Sequence, residues 1–358
     1  MLFEPYLASP LQLKNRFVMS PMTRSRAVEA NTPNALMAEY YGQRAGAGLI
    51  ITEGTSPSPN GLGYPRIPGL FNQAQVEGWK GVTAAAHKEG AKIFIQLMHT
   101  GRVGNLANLP ASAEVVGPTD AVLPGEIYVD GKGMQPHTAP RAMTEADIAR
   151  AKDEFVSAAK LAVEAGFDGI ELHAANGYLL EQFLNANVNT RADAYGGSSE
   201  KRNRFVLEVA RATVEAIGAA RVGLRLSPQG VFNSTGPFPE GDAQYVALAE
   251  QLSKLGIAYL HVLDHAAMGA PGVPIDLKSK LRAAFKGTFI LAGGFDAAGA
   301  EQALQDKRAD LIGFGRPFLA NPDLVERYRK GAALNAPDME TFYVPGAKGY
   351  TDYPRLAA

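Results

Sequence analysis

The chain has 358 residues, 46% of them hydrophobic, and carries 35 Lys and Arg against 36 Asp and Glu. This composition excludes disordered and fibrous proteins, and the balanced charge offers no basic excess to a nucleic acid. Cysteine is absent, which excludes disulfides and thiolate metal sites and favours a cytoplasmic location, and we expect neither a signal peptide nor a membrane span.

Eight short apolar runs recur along the chain, as is typical of parallel strands covered on both faces. They span residues 15–22, 47–54, 92–99, 169–175, 221–228, 259–265, 288–294 and 309–316. Segments with helical apolar spacing lie between them, at residues 73–90, 144–166, 200–218, 241–256, 276–286, 296–305 and 322–331. This alternation predicts an α/β fold, a single (β/α)8 TIM barrel, with residues 1–358 forming one domain.

Three segments fall outside the alternation. An early hairpin around residues 2–13 is expected to plug the bottom of the barrel. Residues 100–143 form a long loop after the third strand, rich in proline and glycine. Loops of this length are usually functional, so this one is expected to cap the active face. The tail, residues 335–358, carries Tyr343 and is also expected to fold across that face.

Catalytic residues of a barrel sit at the C-terminal ends of its strands. The last two such ends contain Gly293, Gly294, Gly315 and Arg316. Glycines let backbone N–H groups approach phosphate oxygens, and an arginine can clamp a phosphate with two hydrogen bonds. The pattern therefore favours a phosphate site, although glycines that simply form tight turns remain the alternative.

Polar residues at the fourth and fifth strand ends could act on a substrate. His173 and Asn176 could both donate hydrogen bonds to one carbonyl oxygen. Tyr178 has an ordinary pKa near ~10 and could deliver a proton, or it could be an aromatic packed in the core. Arg225 stands in an apolar strand, where it either forms a core salt bridge or stabilises a delocalised anion.

A metal site is the competing interpretation of the same strand ends. His99 and His173 lie on neighbouring strands, and Glu53 and Asp264 could supply carboxylates. The alternative function is therefore a metal-dependent barrel hydrolase. No strand ends in lysine, which argues against a Schiff-base aldolase, and neither a Rossmann glycine motif nor a P-loop is present.

Taken together, these segments resemble the old yellow enzyme family of FMN-dependent ene-reductases. The most specific matching stretches are HAANGY, at 173–178, and NTRADAYGGSSEKRNRF, at 189–205. Others are SPMTRSRA (20–27), FIQLMHTGR (94–102), GFGRPFLANPDL (313–324) and GYTDYP (349–354). Thr23 and the His-x-x-Asn pair resemble the classical branch with the founding yeast-type enzymes, whereas the loop at 263–272 departs from the family pattern.

The resemblance implies FMN as cofactor and NADPH or NADH as reductant, both acting at one site with an electron-poor alkene. The alkenes are α,β-unsaturated ketones and aldehydes, maleimides and nitroalkenes, reduced by hydride from flavin N5. No separate nicotinamide site is then needed. It also implies a monomer or homodimer. A flavin-binding protein that has lost turnover is a further, non-enzymatic possibility.

The resemblance implies a role for individual residues of this chain. Thr23 would hydrogen-bond the flavin near O4 and N5, and Arg225 would stabilise reduced flavin beside N1 and O2. The ring would also be contacted by Pro21, Met22, Gly54 and Gln96, and the phosphate by Gly293, Gly294, Gly315 and Arg316. His173 and Asn176 would bind the substrate carbonyl, and Tyr178 would protonate its α-carbon. Tyr64 and Tyr343 would lie near the substrate channel.

Overall fold

A closed barrel of eight parallel strands forms the centre of the protein, whose computed structural model describes residues 1–357. Each strand pairs with its neighbours in chain order, and the last strand pairs with the first, which closes the barrel. The strands are β1 Phe17–Met19, β2 Leu49–Ile51, β3 Lys92–Leu97, β4 Gly169–Ala174, β5 Val222–Leu226, β6 Tyr259–Leu263, β7 Thr288–Ala292 and β8 Leu311–Phe314. The predicted (β/α)8 TIM barrel is confirmed.

Helices cover the outside of the barrel. They are α1 Ala35–Gln43, α2 Gln73–Lys88, α3 Glu145–Glu164, α4 Leu179–Leu184, α5 Ser199–Ile217, α6 Gly241–Leu255, α7 Ile275–Ala284, α8 Ala297–Gln305, α9 Arg316–Ala320 and α10 Leu324–Lys330. The seven predicted helices are present, with ends that differ by at most two residues. The sequence analysis missed the short helices α1, α4 and α9. None of the helices within residues 1–357 combines the length and hydrophobicity needed to cross a membrane.

Alternation along each strand separates an apolar outer face from a mixed inner face. On β4, Ile170 and Leu172 pack outward in the main hydrophobic core, so Gly169, Glu171 and His173 face inward. Gly169 leaves room for the ring of Phe94, since an added Cβ would lie 2.5 Å from it. The interior therefore changes from aromatic at the bottom to polar at the top, where the strands end.

The N-terminal segment closes the bottom of the barrel, as predicted. Tyr6 and Leu13 exchange backbone hydrogen bonds of 2.9 and 2.8 Å as one antiparallel pair. Tyr6, Leu11 and Leu13 pack against inward side chains of the barrel strands. The Tyr6 hydroxyl lies 2.9 Å from Oγ1 of Thr288, the first residue of β7.

The long segment after β3 has structure of its own. Val116–Gly117 pairs in parallel with Arg141–Ala142, and Glu126–Val129 forms an antiparallel hairpin with Gly133–Pro136. Val103, Leu123 and Ile127 form a buried cluster against which Tyr64 and Tyr178 pack. The segment thus covers the end of the barrel at which the strands terminate, as expected.

The tail is held against the first βα unit by buried arginines. Arg24 donates to the carbonyl oxygens of Phe342 and Gly349, at 3.1 and 2.6 Å. Arg26 donates to four tail carbonyls, including that of Thr341 at 2.8 Å. Tyr350 is buried and stacks on Tyr40 at 4.0 Å between ring centroids. These contacts bring the tail, with Tyr343, across the edge of the active face.

Candidate active site

His173 presents a hydrogen-bond donor at the top of β4. Its Nδ1 accepts the backbone N–H of Ala175 at 3.3 Å. Burial and the charge of Arg225 lower the pKa of His173 well below its ordinary value, so the ring is neutral. In a neutral ring whose Nδ1 accepts, the proton resides on Nε2. His173 is therefore a fixed donor.

Asn176 follows β4 in the left-handed conformation, with φ of 59°. Its backbone N–H donates to Ser227 Oγ at 2.8 Å, and its carbonyl accepts from Asn233 Nδ2 at 2.7 Å. Its side-chain Oδ1 lies 2.8 Å from His265 Nε2. Within residues 1–357 the amide Nδ2 has no partner, so it remains available to a ligand. The structure thus leaves one donor on each of His173 and Asn176, and their binding of a substrate carbonyl stays a prediction.

Tyr178 lies beside His173, immediately before α4. The two rings meet edge to face with centroids 5.0 Å apart. The Tyr178 hydroxyl donates to the Tyr64 hydroxyl at 3.1 Å. Burial raises the pKa of Tyr178 well above its ordinary value, and the neighbouring Tyr64 adds to this effect. Tyr178 is therefore a protonated phenol in the site, although it also packs against the apolar clusters of the cap.

Arg225 projects inward from β5, beside His173 in the strand register. It is only 5% exposed, and its Nε has no hydrogen-bond partner among the described residues. No ion pair to Arg225 occurs in that part of the chain, so the core salt bridge considered above is absent. A buried cation without a partner is costly. The site is therefore suited to an anion or a strongly polarised group.

A layer of polar side chains lies below Arg225, and the sequence analysis missed most of it. Glu171 Oε1 accepts from Gln96 Nε2 at 2.8 Å, and its Oε2 lies 2.8 Å from His261 Nδ1. Burial alone would raise the pKa of Glu171, but His261, Arg225 and Gln96 together lower it. Because Gln96 donates to this carboxylate, its amide oxygen is left as an acceptor. The signal that could have revealed Glu171 is its position on β4, two residues before His173, because side chains two residues apart on a strand face the same side.

The last two strand ends are rich in glycine. Gly293 and Gly294 have φ of 141° and 75°, which side chains rarely adopt. A Cβ on Gly294 would lie 2.4 Å from the Cβ of Ala267. Gly315 caps the N-terminus of α9, and Arg316, its first residue, is exposed. Glycine is needed for the backbone conformation of these turns and also suits phosphate binding, so both interpretations of these glycines stand.

The first two strand ends complete the rim. Pro21 is buried, whereas Met22 and Thr23 are half-buried. A Cβ on Gly54 would lie 2.5 Å from Met98 Sδ, so a side chain here would require Met98 to shift. A Cβ on Gly315 would lie 3.6 Å from Met22 Sδ, so the loops after β1 and β8 meet at one rim. Tyr343 lies on the tail and is 60% exposed.

The proposed metal ligands do not converge. Among residues 1–357 no group of three His, Cys, Asp or Glu side chains could hold a metal ion. His99 Nδ1 accepts from the backbone of Gly101 at 3.0 Å, and Asp264 forms an ion pair with Lys278. Glu53 accepts from the backbone N–H of Arg24 at 3.2 Å. The metal-dependent hydrolase is therefore not supported.

The chain resembles known proteins over nearly its whole length. Residues 1–335 match the model of the NADH:flavin oxidoreductase / NADH oxidase family. Morphinone reductase in complex with tetrahydroNAD has a TM-score of 0.94 and 43% identity, covering 99% of this chain and 98% of that one. The old yellow enzyme homologue from Zymomonas mobilis has a TM-score of 0.95 and 39% identity, covering 99% of both chains. The 12-oxophytodienoate reductase 7 of Oryza sativa subsp. japonica is 40% identical over 376 residues, covering 99% of this chain and 94% of that protein.

Proposed function

The chain belongs to the NADH:flavin oxidoreductase / NADH oxidase family and, within it, to the old yellow enzymes, and on this premise we propose that it is an FMN-dependent ene-reductase. The substrate class is an electron-poor alkene, such as an α,β-unsaturated ketone or aldehyde, a maleimide or a nitroalkene. NADPH or NADH is the reductant. The observation that carries the proposal is the convergence of two neutral donors and one phenol beside an unpaired, buried arginine.

The residues of the site fit FMN. The unpaired guanidinium of Arg225 suits the negative charge that a reduced flavin carries on its N1 and O2 side. The free amide oxygen of Gln96 suits an N–H of the flavin ring. The glycine turns after β7 and β8, with exposed Arg316, suit a phosphate. When bound, FMN supplies the redox chemistry by taking a hydride from the nicotinamide and passing it to the alkene.

The rest of the ring would be held by the rim of the first two strands. Thr23 would hydrogen-bond its O4 and N5 edge, while Pro21, Met22 and Gly54 would contact its face. These assignments rest on the family resemblance and on the position of all four residues at one rim.

His173 and Asn176 bind and polarise the substrate. Both donors, Nε2 of His173 and Nδ2 of Asn176, would point at the oxygen that accumulates negative charge as the alkene accepts a hydride. Donors fixed in advance stabilise such charge without reorganising during the reaction. The neutral state of His173 also leaves the ring a hydrogen-bond donor rather than an acid that competes with Tyr178.

Tyr178 delivers the proton that completes the addition. Its high pKa keeps it protonated, and its hydroxyl can rotate from Tyr64 towards the substrate α-carbon. The Tyr64 hydroxyl, 3.1 Å away, can then donate to the oxygen that has lost its proton. Tyr343 would line the outer part of the substrate channel. A single domain, a cytoplasmic location and a monomer or homodimer stay predictions.

Purification of the chain tests the proposal directly. We expect a yellow protein whose flavin is bleached anaerobically by NADPH or NADH and recovers its absorbance on addition of cyclohexenone. A colourless protein that does not take up added FMN contradicts the proposal. A flavin that is bleached by neither nicotinamide, or that is not reoxidised by any enone, maleimide or nitroalkene, would indicate a flavin-binding protein without turnover.

A further inference from the structure

The buried side chain of His265 contacts Asn176 and no role has been assigned to it so far. His265 follows β6 and is 2% exposed. The Phe232 ring lies against it, with centroids 4.5 Å apart, and Gly230 approaches it so closely that an added Cβ would lie 2.9 Å from Nδ1. Its Nε2 lies 2.8 Å from Asn176 Oδ1. The ring is therefore confined by packing, and among the described residues its hydrogen bond is to Asn176.

One polar group of Asn176 has no hydrogen-bond partner among the described residues. Ser227 Oγ accepts its backbone N–H, Asn233 donates to its carbonyl, and His265 is bonded to its side-chain oxygen. Within residues 1–357 only Nδ2 lacks a partner. A carboxamide can rotate by half a turn, which exchanges an N–H donor for an oxygen acceptor at the same point in space. The group bonded to Oδ1 therefore decides whether the N–H donor or the oxygen acceptor faces the ligand.

We infer that His265 is a positioning residue that orients the Asn176 carboxamide so that the site accepts only ligands with a hydrogen-bond acceptor. With a proton on Nε2, His265 donates to Oδ1 and turns Nδ2 towards the ligand, beside the Nε2–H of His173. The reversed amide would present an oxygen there, which would repel a carbonyl or phenolate oxygen. This inference deepens the proposed function and rests on it.

The surroundings of His265 are compatible with this role. Burial lowers the pKa of His265 to about 4, and the charge of Arg225 acts in the same direction. The ring is then neutral at pH 7 and carries a single N–H, which the hydrogen bond to Oδ1 uses. Since a protonated ring would also donate from Nε2, the orientation of Asn176 does not depend on pH around neutrality.

Two substitutions in the FMN-loaded protein separate the hydrogen bond from the shape of the ring. His265→Phe retains a ring of similar size and removes the donor, whereas His265→Gln retains an N–H near the position of Nε2. The probe is 4-chlorophenol, whose dissociation constant is measured from the absorbance change of the bound flavin. We expect His265→Phe to raise this constant about tenfold and His265→Gln to stay within about threefold of wild type.

A double-mutant cycle tells positioning from a general structural effect. In the Asn176→Leu background the amide is absent, so His265→Phe should then change the constant less than about twofold. For cyclohexenone, the single His265→Phe variant should show a raised KM and a lowered kcat, because the hydrogen bond forms in the substrate complex and strengthens in the transition state as charge accumulates on the oxygen. His87→Phe is the matched control, since His87 pairs with Asp168 on the surface of α2 and should leave the constant unchanged.

Each outcome decides the inference. An unchanged constant in His265→Phe, equal losses in the Phe and Gln variants, or the same loss in both Asn176 backgrounds would overturn it. If His265→Phe does not fold or loses FMN, His265→Asn, which is too short to reach Asn176, takes its place with the same expected loss. A wild-type protein that holds FMN but does not bind the phenol would overturn the proposed function, and this role with it.

Discussion

The guanidinium of Arg225 is buried on the inner face of β5, and no described residue forms a hydrogen bond with its Nε. Burial lowers its pKa, but an arginine stays charged in a protein. Glu171, in the layer below, is the carboxylate that acts on the charge of Arg225, and it is already bonded to Gln96 and His261. The charge of Arg225 is thus available to a bound anion.

Arg225→Met tests this availability. The variant should bind FMN about 10–100-fold more weakly, because a charge-assisted contact is lost. NADPH should also reduce the remaining bound flavin more slowly, since the reduced form loses its counter-charge. Both are measured by flavin fluorescence titration and anaerobic stopped flow.

Arg316→Met is the control for this prediction. Arg316 is exposed at the start of α9 and is proposed to contact the phosphate. Its loss should weaken FMN binding while the bound flavin is reduced at a rate near that of wild type. If Arg225→Met behaves in the same way as Arg316→Met, Arg225 does not lie beside the redox-active ring.

Tyr178→Phe separates proton transfer from packing. The variant keeps the ring that packs against His173 and removes only the hydroxyl, so stability and flavin content should be near wild type. Turnover of cyclohexenone should fall by about 10²–10⁴, the usual contribution of a positioned general acid. Reduction of the flavin by NADPH should persist, because that step takes no proton from the phenol.

A nitroalkene provides the second substrate for this test. Its nitronate is stable enough to leave and take a proton from water, so its turnover should fall less than that of the enone. Equal losses in enone, nitroalkene and flavin reduction would identify Tyr178 as a structural residue. An enone rate that is unchanged would exclude it as the proton donor.

The N-terminal segment and the strand ends lie at opposite ends of the barrel. Tyr6 and Leu13 pack beneath the inward side chains of the strands, whereas His173 and Arg225 lie near the C-terminal ends of theirs. In barrels of this type, the bottom contributes stability and the top contributes chemistry. The two functions can therefore be separated by substitution.

Leu13→Ala should lower the free energy of unfolding by about 2–4 kcal/mol, because it leaves a cavity in the bottom layer. The affinity of the native protein for FMN should remain unchanged. Leu7→Ala is the matched control, since Leu7 belongs to the same segment but is 73% exposed and should have little effect. Urea denaturation and flavin titration measure the two quantities. A loss of FMN affinity proportional to the loss of stability would show that the two ends are coupled.

A buried carboxyl connects the site to the stability of the whole protein. Glu181, on α4, accepts from the backbone of Gly177 at 2.6 Å and from the hydroxyls of Ser227 and Tyr245, both at 3.1 Å. Ser227 in turn holds the backbone of Asn176. Burial raises the pKa of Glu181 to about 7, despite these hydrogen bonds.

This raised pKa makes the stability depend on pH. Between about 4.5 and 7 the folded protein retains a proton on Glu181 that the unfolded chain has lost, so the free energy of unfolding falls as the pH rises. The contribution is complete below pH 4.5 and lost above pH 7. A shift of this size corresponds to roughly 3 kcal/mol.

Glu181→Gln should make the free energy of unfolding depend less steeply on pH, because about one proton fewer is released on unfolding. Urea denaturation from pH 4.5 to 8 measures this slope. Burial also raises the pKa of Glu53 to about 7. Glu53→Gln is therefore the comparison, and it should remove the contribution of the Glu53 proton from the same pH dependence. If the profile of Glu181→Gln matches that of wild type, Glu181 is ionised in the folded protein throughout the range.

Some contacts could not be predicted from the sequence because they join residues that lie far apart along the chain. Glu171 looked like one polar residue in an apolar strand, and its partner His261 is 90 positions away. His265 and Asn176 are 89 positions apart. No local pattern connects such pairs, since strand register and barrel closure decide which side chains meet.

The sequence by itself determined the barrel and the positions of most proposed site residues. Apolar runs that alternate with helical patterns can bury both faces of each strand only in an architecture of this kind, and polar residues at strand ends must then gather at one rim. The tertiary structure alone decided that Arg225 has no salt bridge within residues 1–357, that the candidate metal ligands stay apart, and that His265 bonds to Asn176. These outcomes depend on distances between side chains of different strands, which the closure and stagger of the barrel set.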